Sequence, residues 1–92
     1  MGKRGAFPMN DQIARNPKQV GEAVRRRRRS QGLKQKDLGN KTNLRQATIS
    51  GLEAGEPGTQ LRTLFDVLTA LNMELVIRPR TKASNEKIEE LF

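Results

Sequence analysis

The stretch GLKQKDLGNKTNLRQATISGLEAG (residues 32–55) decides the fold. Leu33, Leu38, Leu44, Ile49 and Leu52 punctuate it, and Asn43 stands between two polar-rich halves. The first half, residues 35–42, and the second, residues 46–54, each read as a short helix. Neither reaches the roughly 12–15 residues an isolated helix needs in water, so each must borrow stability from packing. Asn43 supplies the turn between them, and Gly55 with Pro57 ends the second.

Working outward, Asn16-Pro17-Lys18-Gln19 has the chemistry of a helix start. Asn16 can cap, Pro17 suits the first turn, and Gln19 can reach back as in a capping box. Val20, Ala23 and Val24 follow at helical spacing and Gly32 is a natural stop, which predicts a helix over about 17–31. Downstream, Thr59 is expected to cap a further helix. Its apolar face is Leu61, Leu64, Phe65, Leu68 and Leu71, and Asn72 ends it. Residues 73–78, MELVIR, are rich in β-branched side chains and bounded by Asn72 and Pro79, so they read as a single strand. A lone strand leaves its backbone groups unpaired, and no second strand is evident in the chain. The partner expected for Met73, Leu75, Val76 and Ile77 is the same strand of another copy, which makes the protein a homodimer.

The fold class expected is all-α: four to five helices plus one short C-terminal strand pairing across the dimer. Residues 1–15, with Gly2, Gly5 and Pro8 and no periodicity, read as a flexible arm. Residues 16–79 form the folded domain and 80–92 a tail. That tail ends in Ile88, Leu91 and Phe92, spaced as a segment that could fold on a partner; a weak terminal helix or plain disorder explains it equally well.

The chain has 92 residues, no cysteine and no histidine. Neither a disulfide nor a zinc site supplements a small core, and no metal or cofactor is expected. The absence of cysteine suits a reducing cytosol, and no apolar run approaches a membrane span. Three Phe with neither Trp nor Tyr argue against single-strand binding by base stacking. The net charge of +8 is unevenly placed: residues 1–33 carry nine Lys/Arg against two acids, and the remainder is nearly balanced. Such asymmetry points to an acidic partner, nucleic acid before a membrane surface. With no histidine base, no cysteine nucleophile and no Walker-type loop, the chain is not expected to be an enzyme.

Two short helices joined by a tight turn, preceded by one helix and braced by another, form a helix-turn-helix. Residues 32–55 resemble the core of the Xre/Cro/434-repressor class, roughly G-L-T-Q-x-x-L-A, a turn, then I-S-x-x-E-x-G. The following TQLRTLFDVLTALNMELVIRP (residues 59–79), a leucine-rich helix running into one strand, resembles the HipB-like antitoxins of HipA-type kinase toxins. The resemblance covers residues 17–79. It implies a cytoplasmic bacterial protein, nucleoid-associated when bound, that binds a palindromic operator as a homodimer, represses its own operon and complexes a HipA-like Ser/Thr kinase toxin. The alternatives are a stand-alone or phage-type repressor without a toxin, and a protein-interaction module that binds no DNA.

In this class the second helix of the motif enters the major groove with its first residues on base edges. Those positions here are Arg45, Gln46, Ala47, Thr48 and Ser50. Gln46 can bond adenine bidentately, and the methyls of Ala47 and Thr48 suit a thymine methyl. Gln35 matches the glutamine that anchors the motif to the DNA backbone, and Lys34, Lys36, Arg25 and Arg29 are the cations expected near phosphates. The class also pairs the acid at Glu53 with a base on the first helix. Counting back from Gly32 places that base at Arg28, which shares the inward stripe of Val20 and Val24. Within the run Arg25 to Arg29, Arg26 and Arg27 are expected to face solvent or the partner. Three positions depart from the pattern: Lys34 in place of a capping Thr, Gly39 in place of Ala, and Gly51 on the recognition helix.

Overall fold

The structure is a computed structural model, and it describes residues 11–80. The expectations for residues 1–10 and 81–92, most of the arm and the tail, lie outside the described residues. Among the described residues four helices form: α1 (Pro17–Ser30), α2 (Gln35–Thr42), α3 (Gln46–Glu53) and α4 (Leu61–Ala70).

The ends of the helices follow local side-chain chemistry. Asn16 Oδ1 accepts from the Gln19 backbone N–H at 2.8 Å, and Pro17 opens α1. The return bond of a capping box lands one residue early: Gln19 Oε1 accepts from Arg15 N–H, 2.6 Å away, rather than from Asn16. Gly32 ends α1 at φ 73°, letting its own N–H reach Arg29 O at 2.9 Å and that of Leu33 reach Arg28 O at 3.2 Å. Lys34 gives α2 no side-chain cap, as expected, yet Asp37 Oδ2 accepts from the Lys34 N–H at 2.8 Å and takes over part of that role. Asn43 turns the chain at φ 63°, and Leu44 N–H closes on Gly39 O at 2.9 Å. A Cβ on Gly39 would stand 2.8 Å from Leu44 O, so this tight turn accounts for glycine where the class has alanine.

Helix α4 departs from expectation at its start. Thr59 is not the cap; Gln60 occupies that position and makes no side-chain cap bond, while the Thr59 N–H closes a turn on Glu56 O at 3.2 Å. The Glu56-Pro57-Gly58 turn takes up one residue more than the sequence pattern suggests.

The core gathers Val24, Leu38, Ile49, Leu52, Val67, Leu68 and Leu71, with Leu33, Leu44, Leu64, Ala70 and Met73 packed against it. The inward stripe of α4 is therefore Val67 and Leu68 with the C-cap Leu71, flanked by the half-buried Leu64, one step round from the predicted face. Leu61 and Phe65 remain 67% and 45% exposed. Both sets have helical spacing, and only the placement of α2, on which α4 packs, decides between them.

No strand forms among the described residues. Residues 73–80 run without regular structure, and Leu75, Val76 and Ile77 are exposed. A single chain provides no second edge, so the backbone groups of this segment have nothing to pair with.

One contact decides how close α1 comes to α3. A Cβ on Gly21 would press into the Leu52 and Glu53 carbonyl oxygens. Alanine would gain about 1 kcal/mol of helix propensity there. Backbone atoms cannot rotate away, however, so α1 must lift off α3. Gly21→Ala is expected to lower stability by about 1–3 kcal/mol, read as a reduced melting temperature. An unchanged or raised melting temperature would contradict the close approach.

Candidate nucleic-acid interface

Helix α3 is divided lengthwise. Ile49 and Leu52 are fully or nearly buried and tie it to the core, and Glu53 is buried at its C-terminal end. On the other side Arg45, Gln46, Ala47 and Ser50 are exposed and Thr48 is half-buried. Among the described residues, the side chains of Arg45, Gln46, Thr48 and Ser50 make no hydrogen bond or ion pair, and the α3 N-terminus has no side-chain cap. An open row of donors and acceptors sits on a helix whose opposite side is fixed.

Glu53 is the fixing point. Arg28 Nε donates to Glu53 Oε2 at 2.6 Å and Nη2 to Oε1 at 3.0 Å, a bidentate pair in which both residues are buried. Arg28 Nη1 also donates to Leu33 O at 2.7 Å, so the guanidinium joins α1, the α1–α2 turn and α3. Burial pushes the Glu53 carboxyl up. The Arg28 and Gln35 hydrogen bonds and the charges of Arg28 and Arg25 outweigh it and hold the group below the usual carboxylate range. The hydrogen bonds that Arg28 donates to Glu53 raise its own pKa against the opposing effect of burial.

The side chains expected near phosphates separate into two groups. Arg29, Lys34 and Lys36 are exposed and have no partner among the described residues. Gln35 and Arg25 instead turn toward Glu53: Gln35 Nε2 donates to Oε1 at 3.1 Å, and Arg25 Nε lies 3.7 Å from the same oxygen with its side chain 44% exposed. Gln35 thus holds the base of α2 against α3.

Arg27 corrects the reading of the arginine run. It is half-buried and engaged within the chain: its Nε donates to Leu71 O at 3.0 Å, beside Gln31 Nε2 at 2.9 Å from the same oxygen. Arg26 is exposed, as expected, and its Nη2 donates to Gln12 Oε1 at 2.7 Å. Sequence reasoning missed Arg27, Gln31 and Gly21. Their only local signal was the four-residue spacing of Arg27 and Gln31, and their partners lie far along the chain.

Among the described residues no group of acidic side chains is placed to hold a metal, and no helix is long and apolar enough to cross a membrane. The described residues present one open helix face set beside unpaired cations.

The helix-turn-helix family matches residues 24–77, from the middle of α1 to the segment after α4. Antitoxin HipB of Escherichia coli (strain K12) is 32% identical over 82 residues, 89% of this chain and 93% of that protein. The chain belongs to the helix-turn-helix family, in its HipB antitoxin branch. Solved HipB structures share the fold. The HipB–O4 20mer complex superposes with a TM-score of 0.72 at 30% identity, covering 77% of this chain and all of that one. The HipA–HipB–O2–O3 complex superposes with a TM-score of 0.71 at 30% identity, again over 77% of this chain and all of that one. The HipB fold therefore extends well past the two-helix motif and takes in α1, α4 and their packing.

Proposed function

We propose that this HipB-family chain is a dimeric, sequence-specific DNA-binding antitoxin that represses its own operon and holds a HipA-like Ser/Thr kinase toxin. It acts as a regulator and not as an enzyme, in a bacterial cytoplasm and at the nucleoid when bound. The observation that carries the reading is the open face of α3. Side chains suited to base edges stand there without internal partners, on a helix pinned from behind by Ile49, Leu52 and Glu53. The relatives solved with a 20mer, and with HipA, support the choice of partners.

In this reading Gln46 reads adenine and the methyls of Ala47 and Thr48 meet thymine. Arg45 reaches guanine or a phosphate, and Ser50 permits close approach or bonds a base. Arg29, Lys34 and Lys36 lie on phosphates, joined by Arg25 and Gln35 at the edge of the Glu53 cluster. The 73–78 segments of two copies pair, covering Leu75, Val76 and Ile77 and giving their backbone groups partners. Two α3 helices then meet successive major grooves, with half-sites about 34 Å apart or a multiple of it, so the operator is palindromic.

Binding is expected to weaken steeply with salt. Four cationic phosphate contacts per protomer give a log–log slope on the order of −7 for the dimer. Lys36→Ala removes one contact per protomer and should flatten that slope by about 1.8. Operator affinity that ignores salt would overturn the reading.

A further inference from the structure

One side of α1 is fastened to α3 by the Arg28–Glu53 pair and by the contact of Gly21 with the Leu52 and Glu53 carbonyls. The same helix carries Arg27, and its C-cap residue Gln31 follows four positions on, toward the same side. Both donate to a single acceptor, Leu71 O, at 3.0 and 2.9 Å. Leu71 is the fully buried C-cap of α4. Immediately after it Asn72 turns left-handed at φ 59°, and Met73 N–H returns to Leu68 O at 2.8 Å. The chain then enters the 73–80 segment.

The last carbonyls of a helix lack intrahelical partners and carry the negative end of its dipole, so one donor or a water would satisfy Leu71 O. Two side chains from one helix converge on it instead. That fills both lone pairs and also fixes the direction of approach. The main packing sets α2 on α3, α1 on α3 and α2 on α4. Val24 of α1 also shares the core with Val67, Leu68 and Leu71, and the two polar side chains add the directional contacts at the very end of α4.

We propose that Arg27 and Gln31 are positioning residues that fix the angle at which residues 73–78 leave α4 relative to α3, and thereby set the half-site spacing the dimer accepts. The inference rests on the DNA-binding function and strand-paired dimer proposed above. From α3 through α1 and the Leu71 clamp to the exit of α4, each link is a hydrogen bond or a close backbone contact. A two-fold axis through the paired segments repeats any angular error at that exit in both protomers. One base pair added between half-sites displaces one of them by about 3.4 Å and rotates it by about 34°, a change that a rigid exit resists and a loose one absorbs.

The test uses the full chain and the palindrome it selects from a pool of random duplexes, with the central spacer shortened or lengthened by one base pair. The wild-type chain should lose about tenfold in affinity on either shifted spacer. Arg27→Ala with Gln31→Ala should lose about threefold or less while still binding a single half-site as the wild type does. A sharp spacing optimum retained in the double variant overturns the inference. A wild-type chain that selects no palindrome overturns the DNA-binding reading itself. Should the double variant fail to fold by circular dichroism, each single variant keeps one donor on Leu71 O and should give an intermediate profile. A single-variant profile superimposable on the wild type would then overturn the inference.

Discussion

Glu53→Ala is expected to remove about 3–5 kcal/mol of folding stability, because it leaves the Arg28 guanidinium buried with its charge unpaired. Arg28 would keep only its bond to Leu33 O, and Gln35 Nε2 would lose its acceptor. Small domains have about 5–15 kcal/mol in all, so urea denaturation should show a variant close to the unfolding threshold. Replacing the pair together, Arg28→Met with Glu53→Leu, should be far milder, since neither charge is then stranded. The pH dependence has a defined sign. The folded Glu53 carboxyl lies below its unfolded value, so its contribution is fully present above about pH 4.3 and is lost as pH falls through the folded value. Glu53→Gln should lack this acid-side decline. A Glu53→Ala variant within about 1 kcal/mol of wild type would show that the pair does not hold α1 to α3.

Gln46→Ala with Thr48→Ala should leave folding intact and sharply reduce discrimination between operator and random DNA. Neither side chain has a partner among the described residues, so truncation strands nothing inside the protein. Each base contact is worth about 1–3 kcal/mol, and the double variant should therefore bind operator about 30- to 20,000-fold more weakly. Affinity for nonspecific duplex should barely change, since Arg29, Lys34 and Lys36 remain. Operator discrimination that survives both truncations would show that these two side chains do not read bases, and a wild-type chain that binds no duplex would favour a protein-interaction module, with the arginines serving only solubility.

What the sequence disclosed, and what it concealed, divides by the range of the interaction. Asn16, Gly32, Asn43 and Asn72 mark helix ends by their own backbone or capping chemistry, and each does in the structure what its type suggests. The buried side of α3 was legible from spacing, with Ile49 and Leu52 both inside. The Arg28–Glu53 pair needed the family resemblance as well, for spacing alone puts Arg28 on an inward stripe without naming its partner. Interactions between distant residues left little trace. Arg27 and Leu71 are 44 positions apart, and nothing near Arg27 signals a carbonyl waiting at the end of another helix. Val67 is buried while Leu61 and Phe65 are not, because the packing of α2 chooses one of two equally regular stripes. Gln35 matched an anchor for DNA, and in the free chain it turns to Glu53, a bond that only three-dimensional proximity reveals.

The five consecutive arginines show the same division. A helix turns about 100° per residue, so no single surface could hold them all. Arg28 pins α3, Arg25 flanks the same carboxylate, Arg27 holds the end of α4 and Arg26 reaches Gln12. Only Arg29 is left without a partner among the described residues. Much of what looks like one electropositive grip is fastening between helices.

The central claim is that two copies read DNA through paired α3 helices. Its most direct measurement is selection from a pool of random duplexes by the full-length chain, with the bound fraction sequenced. The claim predicts enrichment of an inverted repeat whose half-sites lie about one helical turn, or a whole multiple of it, apart. Recovery of no shared sequence, or of one asymmetric site without two-fold symmetry, would contradict it.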